Sequence, residues 1–94
     1  MNDLPEISVP EISVVVPVMN EAGNIQPLIV GIEAAFGKRA IEIIYVNDAS
    51  TDATLDELKA EKATRPHLRI ITHSKRSGQS AALRTGIFAA RSER

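Results

Sequence analysis

The stretch V-V-V-P-V-M-N-E-A-G-N, from Val14 to Asn24, carries the strongest indication of the fold. Its β-branched run meets a proline at position 17, and the polar residues Asn20 and Glu21 stand three and four positions beyond it. This pattern is typical of a buried parallel strand, whose faces are covered while its carboxyl end meets solvent and ligands. We therefore predict a strand over residues 12–16 with a binding edge just beyond it.

A second apolar run, Ile43-Ile44-Tyr45-Val46, ends in the same way at Asn47-Asp48. The polar residues Ser50, Thr51 and Asp52 follow closely. Because the carboxyl ends of parallel strands meet at one edge of a sheet, both sets of polar side chains are expected there together. The two strand ends predict a ligand site on one edge of one sheet.

The rest of the chain alternates between helix and strand patterns. We predict helices over residues 24–36 and 52–64 and from Gly78 onward, and further strands over 41–47 and 68–72. In the first helix Leu28, Ile32 and Ala35 fall at helical spacing and predict an apolar stripe that packs on the sheet. Three strand–helix repeats predict an α/β fold, a three-layer Rossmann-like parallel sheet. Residues 1–11 contain two prolines and several polar residues, and are predicted to form a flexible arm before a domain over 12–94. The last helical pattern has no strand after it, so the domain is expected to be incomplete.

Composition excludes several classes of function. The 94 residues suffice for one small domain, and eleven basic against twelve acidic residues give a net charge of -1. This balance gives no electrostatic case for nucleic acid as a partner. The chain has no cysteine, and no apolar run approaches the roughly 20 residues that span a bilayer. A cytoplasmic location is the expectation.

Each polar residue at the strand ends has a functional and a structural interpretation. Asp48 can accept hydrogen bonds from a base imide or a ribose hydroxyl, or it can cap the turn that follows. Asn20 and Glu21 face the same alternatives, and Ser50 can either cap or contact a ligand. Asp52 is predicted to be structural, because it stands where a helix cap belongs.

The segment from Lys75 to Ser80 lies between the third strand and the third helix. Glycine at position 78 permits close backbone approach, the helix start supplies unpaired N–H groups, and Arg76 adds positive charge, which suits a phosphate. No dinucleotide or Walker-type glycine motif occurs. His67 and His73 have no metal-ligand partner at helical or strand spacing, so both are predicted to be ordinary surface or strand-edge histidines. No nucleophile–base pair is visible.

Three segments together resemble the family 2 glycosyltransferases, which have the GT-A nucleotide-sugar fold. V-V-V-P-V-M-N-E resembles the opening strand and turn of that family. I-I-Y-V-N-D-A-S-T-D-A-T resembles its second signature, and R-S-G-Q-S-A-A-L-R-T-G its third. The similarity covers nearly everything from Ile12 onward and is closest to the polyprenyl-phosphate sugar transferases, such as the dolichyl-phosphate mannose synthases.

The resemblance implies a strand order of 3-2-1 and a nucleotide pocket bordered by Pro17, Asn20 and Glu21. It implies that Asp48 holds the base of a uridine or guanosine diphosphate sugar.

Three residues depart from the family pattern. Asn47 replaces a common first aspartate, and Met19 replaces the usual aromatic residue near the base. Arg76 replaces an expected asparagine, which makes a phosphate contact conceivable.

The resemblance also implies a lipid-phosphate acceptor and a Mg or Mn ion bound by an Asp-x-Asp at the end of a fourth strand. The sequence reaches Arg94 without that motif, so we predict no metal ligand and no catalytic residue in this chain, and no activity of the chain alone. The parent enzyme would act at the cytoplasmic face of a membrane. The first strand would be a bare apolar edge, which predicts self-association.

Two other functions stay open at this point. One is a receiver-like or flavodoxin-type signalling module with Asp48 as phospho-acceptor. The other is a non-enzymatic nucleotide-binding or interaction fragment.

Overall fold

The computed structural model describes residues 9–92 as three parallel strands alternating with three helices. The elements are β1 (Ile12–Val18), α1 (Ile25–Phe36), β2 (Ile41–Asp48), α2 (Thr54–Lys62), β3 (Leu68–His73) and α3 (Gln79–Ala89). The sheet has the order β1-β2-β3 with both pairs parallel. This confirms the α/β fold and the predicted strand order. The predicted arm lies mostly outside the described residues.

The central strand β2 divides the molecule into two apolar cores. Ile43 and Tyr45 face one core, which contains residues of α1 and α2, while Ile44 and Val46 face the other, which contains Ala82 of α3. All four β2 residues are fully buried. A strand covered on both faces has a continuous apolar sequence, which explains why apolar and polar residues do not alternate in β2. Two helices on one face and one on the other give the predicted three layers.

The predicted apolar stripe of α1 is displaced from the observed one. We expected Leu28, Ile32 and Ala35 to face the sheet, whereas the structure buries Ile25 and Ile29 completely or nearly so. Ile32 packs against their core, but Leu28 is 45% exposed. Residues 25, 29 and 32 share one helical face, so the buried stripe lies one residue away from Leu28.

The strands extend further than predicted. β1 continues through Pro17 to Val18, although the proline was expected to end it. Pro17 is tolerated because β1 lies at the edge of the described sheet, a position at which sheets accept proline. β2 likewise extends to Asp48 and β3 to His73.

Helix α3 packs closely on β1 through a glycine. A Cβ added at Gly86 would lie 2.2 Å from Cγ1 of Val15. Gly86 is buried within the helix, so its lack of a side chain permits this approach.

The far end of α3 is tied to the sheet by a buried carboxylate, Glu42 at the amino end of β2. It accepts hydrogen bonds from the Ser13 hydroxyl, from Nη1 of Arg69 at 2.9 Å and from the backbone N–H of Arg91 at 2.6 Å. Arg69 also donates to the carbonyl of Ala89 at 2.7 Å. Burial raises the pKa of Glu42, but these hydrogen bonds outweigh it and hold the pKa below its usual value.

Among the residues described, no helix has the length and apolar character needed to cross a membrane.

Candidate functional site

A cleft of about 270 Å³ lies at the carboxyl edge of the sheet, between the end of β1 and the start of α3. It is lined by Pro17, Val18, Met19, Glu21, Asp48, Arg76, Gly78, Gln79 and Ala82. The structure thus brings together most of the predicted site residues. Val18, Gln79 and Ala82 were not predicted as site residues; Gln79 and Ala82 belong to the third signature segment, but only the placement of α3 against β1 brings them to the cleft.

Asp48 is the best-connected residue of this cleft. Its Oδ1 accepts the backbone N–H of Ser77 at 2.8 Å and Nδ1 of His73 at 2.9 Å. Its Oδ2 accepts the backbone N–H of Gly78 at 2.8 Å. The residue is 4% exposed. Asp48 lines the cleft and fastens a loop, though a different loop from the turn that follows it. Its contact with a base or a ribose stays a prediction.

The hydrogen bonds to Asp48 determine its charge state. The bond from His73 and those from the backbone N–H groups of Ser77 and Gly78 hold the pKa of this carboxyl below its usual value. Asp48 is therefore an anion at neutral pH. Each carboxylate oxygen can accept two hydrogen bonds, so Oδ2 retains one position for a donor on a ligand.

His73 lies at the end of the edge strand β3, as predicted, but its side chain is not an ordinary surface group. Its Nδ1 contacts Asp48, and its Nε2 lies 2.9 Å from Oγ1 of Thr85 on α3. The register of β2 and β3 pairs Asp48 directly with His73. The signal was thus present in the sequence, at the ends of two adjacent strands, but it required the register to be known. His67 is also paired, with Oε2 of Glu33 at 2.9 Å, away from the cleft.

The loop after β1 forms the other wall of the cleft, and it is fastened by the loop after β2. Four consecutive backbone N–H groups, those of residues 20–23, donate to side chains of residues 50–57. The pairs are Asn20 to Ser50 Oγ at 3.0 Å, Glu21 to Thr54 Oγ1 at 2.9 Å, Ala22 to Asp52 Oδ2 at 3.2 Å and Gly23 to Glu57 Oε1 at 2.9 Å. We call this set of contacts the loop clasp.

Asn20 and Ser50 belong to the clasp and are not among the residues that line the cleft. Asn20 has a positive φ of 58°, a conformation that asparagine adopts more readily than most residues. Its Oδ1 accepts the backbone N–H of Thr51 at 2.8 Å. Asn20 and Ser50 therefore fix the position of the loop after β1 without lining the cleft themselves.

Asp52 is structural, as predicted, although by a different contact. Its Oδ1 accepts the hydroxyl and the backbone N–H of Thr54, and these bonds, with that from Ala22, hold its pKa below the usual value. The residue that precedes α2 is Ala53, so Asp52 closes the turn before the helix. Asn24 precedes α1 but makes no capping bond, since its side chain donates to Oε1 of Glu21 at 3.3 Å.

The side of the cleft formed by α3 supplies donors and positive charge. Gly78 has a φ of 93°, a left-handed conformation that favours glycine and places the turn before the helix. The first N–H groups of α3 have no partner within the helix and attract anions. Arg76 lines the cleft on the same side and is exposed. This side suits a phosphate, and the Asp48 side suits a hydrogen-bond donor.

A metal ion does not fit residues 9–92 by themselves. No group of three or more His, Cys, Asp or Glu side chains in that part of the chain could hold one. Glu21 and Asp48 line the cleft without a third acidic neighbour there. A metal at this edge would need ligands from outside the described residues.

Comparisons with known proteins agree on one family. The model of "Glycosyl transferase family 2" matches residues 13–93. A dolichol-phosphate mannosyltransferase of Mycosarcoma maydis is 32% identical over 93 residues, which are 93% of this chain and 32% of that protein. A dodecaprenyl-phosphate galacturonate synthase of Rhizobium johnstonii is 40% identical over 86 residues, 86% of this chain and 25% of that protein.

A solved structure shares the fold. A mannosyltransferase of Pyrobaculum calidifontis, in complex with GDP-Man and Mn²⁺, superimposes with a TM-score of 0.68 at 28% identity, over 89% of this chain and 25% of that one. These comparisons give no support to the receiver-like alternative. The chain spans between a quarter and a third of the length of the relatives named here. With the family model matching most of its length, the chain belongs to glycosyltransferase family 2.

Proposed function

We propose that this chain is the nucleotide-binding part of an enzyme that transfers a sugar from a nucleoside diphosphate sugar to a polyprenyl phosphate. The cleft at the carboxyl edge carries the proposal, because an ionised acceptor, Asp48, a cation, Arg76, and the start of α3 line it together. A nucleoside diphosphate has matching groups, with N–H and hydroxyl donors at one end and phosphates at the other.

Asp48 would accept a hydrogen bond from the base or ribose through Oδ2. Arg76 and the first N–H groups of α3 would face the diphosphate. Pro17 and Glu21 would form the opposite wall, with Asn20 and Ser50 holding that wall through the loop clasp.

The names of the relatives support the finer parts of this proposal. Two of them act with dolichol phosphate or dodecaprenyl phosphate, and the solved neighbour holds GDP-Man and Mn²⁺. For this protein we propose a polyprenyl-phosphate acceptor, action at the cytoplasmic face of a membrane, and a Mg or Mn ion held by residues other than 9–92. The ion would neutralise charge on the departing diphosphate.

Two predictions for the 94-residue chain remain to be tested. We expect no sugar transfer by the chain alone, and an assay with a radiolabelled nucleotide sugar can check this. Self-association through the apolar edge of β1 would appear as a concentration-dependent sedimentation coefficient.

The binding proposal is tested by amide NMR titration of the chain with uridine diphosphate and guanosine diphosphate in parallel. We expect one of them to shift the resonances of Asp48, Arg76 and Gly78 together. Asp48→Asn should weaken that binding at least about tenfold, since it replaces an ionised acceptor by an amide. Asp56→Asn is the matched control, because Asp56 is exposed on α2 and away from the cleft.

Absence of shifts with either diphosphate would contradict nucleotide binding by this chain. Equal weakening by Asp48→Asn and Asp56→Asn would show that binding does not involve the cleft.

A further inference from the structure

His73 has a role that nucleotide binding alone does not account for. It is the last residue of β3, lies opposite Asp48 in the parallel register, and has a side chain only 17% exposed. It does not line the cleft. Its ring nevertheless joins the tip of β2 to Thr85, which lies within α3.

The partners of the ring fix its tautomer. An ionised carboxylate can only accept, so the proton lies on Nδ1, and this N–H donates to Oδ1 of Asp48. Nε2 of the neutral ring accepts from the Thr85 hydroxyl, and in the charged ring it donates to the same oxygen, because a hydroxyl can do either. The His73 bridge therefore persists in both protonation states.

This bridge determines which oxygen of Asp48 is available. Oδ1 receives His73 and Ser77 and is filled, whereas Oδ2 receives only Gly78. The two oxygens of an ionised carboxylate are equivalent, so a half-turn of its terminal torsion changes nothing, but the tilt of the carboxylate plane can vary because that torsion is broad. The bond from the largely buried His73 ring, itself anchored on Thr85, adds a third constraint on that tilt.

We propose that His73 is a positioning residue: it holds the Asp48 carboxylate so that Oδ2 faces ligand donors, and it holds the Ser77–Gly78 turn against that carboxylate. The first part rests on the proposed function. The second part concerns the free protein and can be tested without any ligand.

The test uses three substitutions of His73 in the 94-residue chain. His73→Asn keeps an N–H donor near the position of Nδ1 and loses the contact with Thr85. His73→Gln carries its amide further out, near the position of Nε2, and loses the contact with Asp48. His73→Phe removes both. His67→Asn is the matched control, because His67 lies away from the cleft and pairs with Glu33.

The binding arm measures the affinity for uridine diphosphate and guanosine diphosphate by titration calorimetry. We expect His73→Phe and His73→Gln to weaken the preferred diphosphate about tenfold, which is the usual effect of losing a hydrogen bond to a charged group. His73→Asn should stay within about threefold of the unsubstituted chain, since it keeps that bond. His67→Asn should bind like the unsubstituted chain.

The ligand-free arm measures amide hydrogen exchange at Ser77 and Gly78. Exchange at both should accelerate about tenfold in His73→Phe and His73→Gln and remain near the original rate in His73→Asn. A general loss of stability would instead accelerate exchange across all three strands.

Several results would overturn the proposal. Unchanged affinity in His73→Phe, or equal losses in the Asn and Gln variants, would show that the Nδ1 donor is not what matters. If His73→Phe does not fold, the difference in affinity between His73→Asn and His73→Gln tests the proposal by itself. If the unsubstituted chain binds neither diphosphate, the proposed function fails, while exchange at Ser77 and Gly78 still decides whether His73 positions the turn.

Discussion

Glu42 and Asp48 lie near opposite ends of β2, and each carboxylate accepts three hydrogen bonds from other parts of the chain. Both side chains are buried, with 5% and 4% exposure. Asp48 holds the turn that precedes α3, and Glu42 holds the segment that follows it. The two carboxylates together fasten both ends of one helix to one strand.

They differ in the partner that balances their charge. Glu42 faces Arg69 at 2.9 Å, and a guanidinium stays protonated in proteins. Asp48 faces two backbone N–H groups and a histidine, none of them a permanent cation. The charge of Glu42 is thus used within the fold, while that of Asp48 remains available to a ligand at the cleft. We therefore assign Glu42 to the stability of the fold and propose Asp48 for ligand binding.

The largest effect on stability is expected from Glu42→Gln. Loss of the ion pair leaves the largely buried Arg69 guanidinium without its charge partner, and we expect the free energy of unfolding to fall by about 2–3 kcal/mol. Asp48→Asn should lower the free energy of unfolding by less, but should weaken nucleotide binding at least about tenfold. Urea denaturation of both variants, with the diphosphate titration beside it, checks this pairing. A stability loss in Asp48→Asn as large as that in Glu42→Gln would remove the distinction.

The next largest effect on stability is expected where α3 packs against β1, between its attachments to Glu42 and Asp48. Gly86→Ala would place a methyl group 2.2 Å from Cγ1 of Val15, so we expect a loss of about 1–3 kcal/mol from overpacking. Gly31→Ala is the control within α1, where a Cβ meets nothing within 4 Å. Because alanine favours helix over glycine, that variant should gain about 0.5–1 kcal/mol. Thermal unfolding of both should show shifts of opposite sign.

The smallest expected effect is the response of stability to acid. The pKa values of Glu42 and Asp48 are both lowered in the folded chain, from usual values of 4.5 and 3.8. The unfolded chain therefore binds more protons in this range, and the stability that the carboxylates contribute is complete above these values and lost as the pH falls through the folded ones. Urea midpoints should stay level from pH 7 to about 5.5 and then decrease.

Glu42→Gln and Asp48→Asn should each flatten that decrease, and Asp56→Asn should not alter it. A midpoint that rises on acidification would contradict the assigned hydrogen bonds.

Much of the fold follows from local patterns. The continuous apolar run of β2 is typical of a strand covered on both faces, and the polar residues after β1 and β2 are expected at one edge of a parallel sheet. On those grounds Glu21 and Asp48 were expected at one edge, whereas Pro17 was implied by the family resemblance, and Arg76 and Gly78 by the glycine-containing basic loop before α3. The face of α1 was not, because Leu28 and Ile29 are equally apolar and only the position of the helix on the sheet distinguishes them.

The sequence by itself determined the alternation of strands and helices and the edge at which polar groups collect, because both depend on the order of residue types along the chain. Tertiary structure alone decided the partners of those groups. His73 meets Asp48 through the register of two strands, and residues 20–23 meet residues 50–57 because two loops leave neighbouring strands at the same edge. Such contacts join residues far apart in sequence, so no local pattern encodes them.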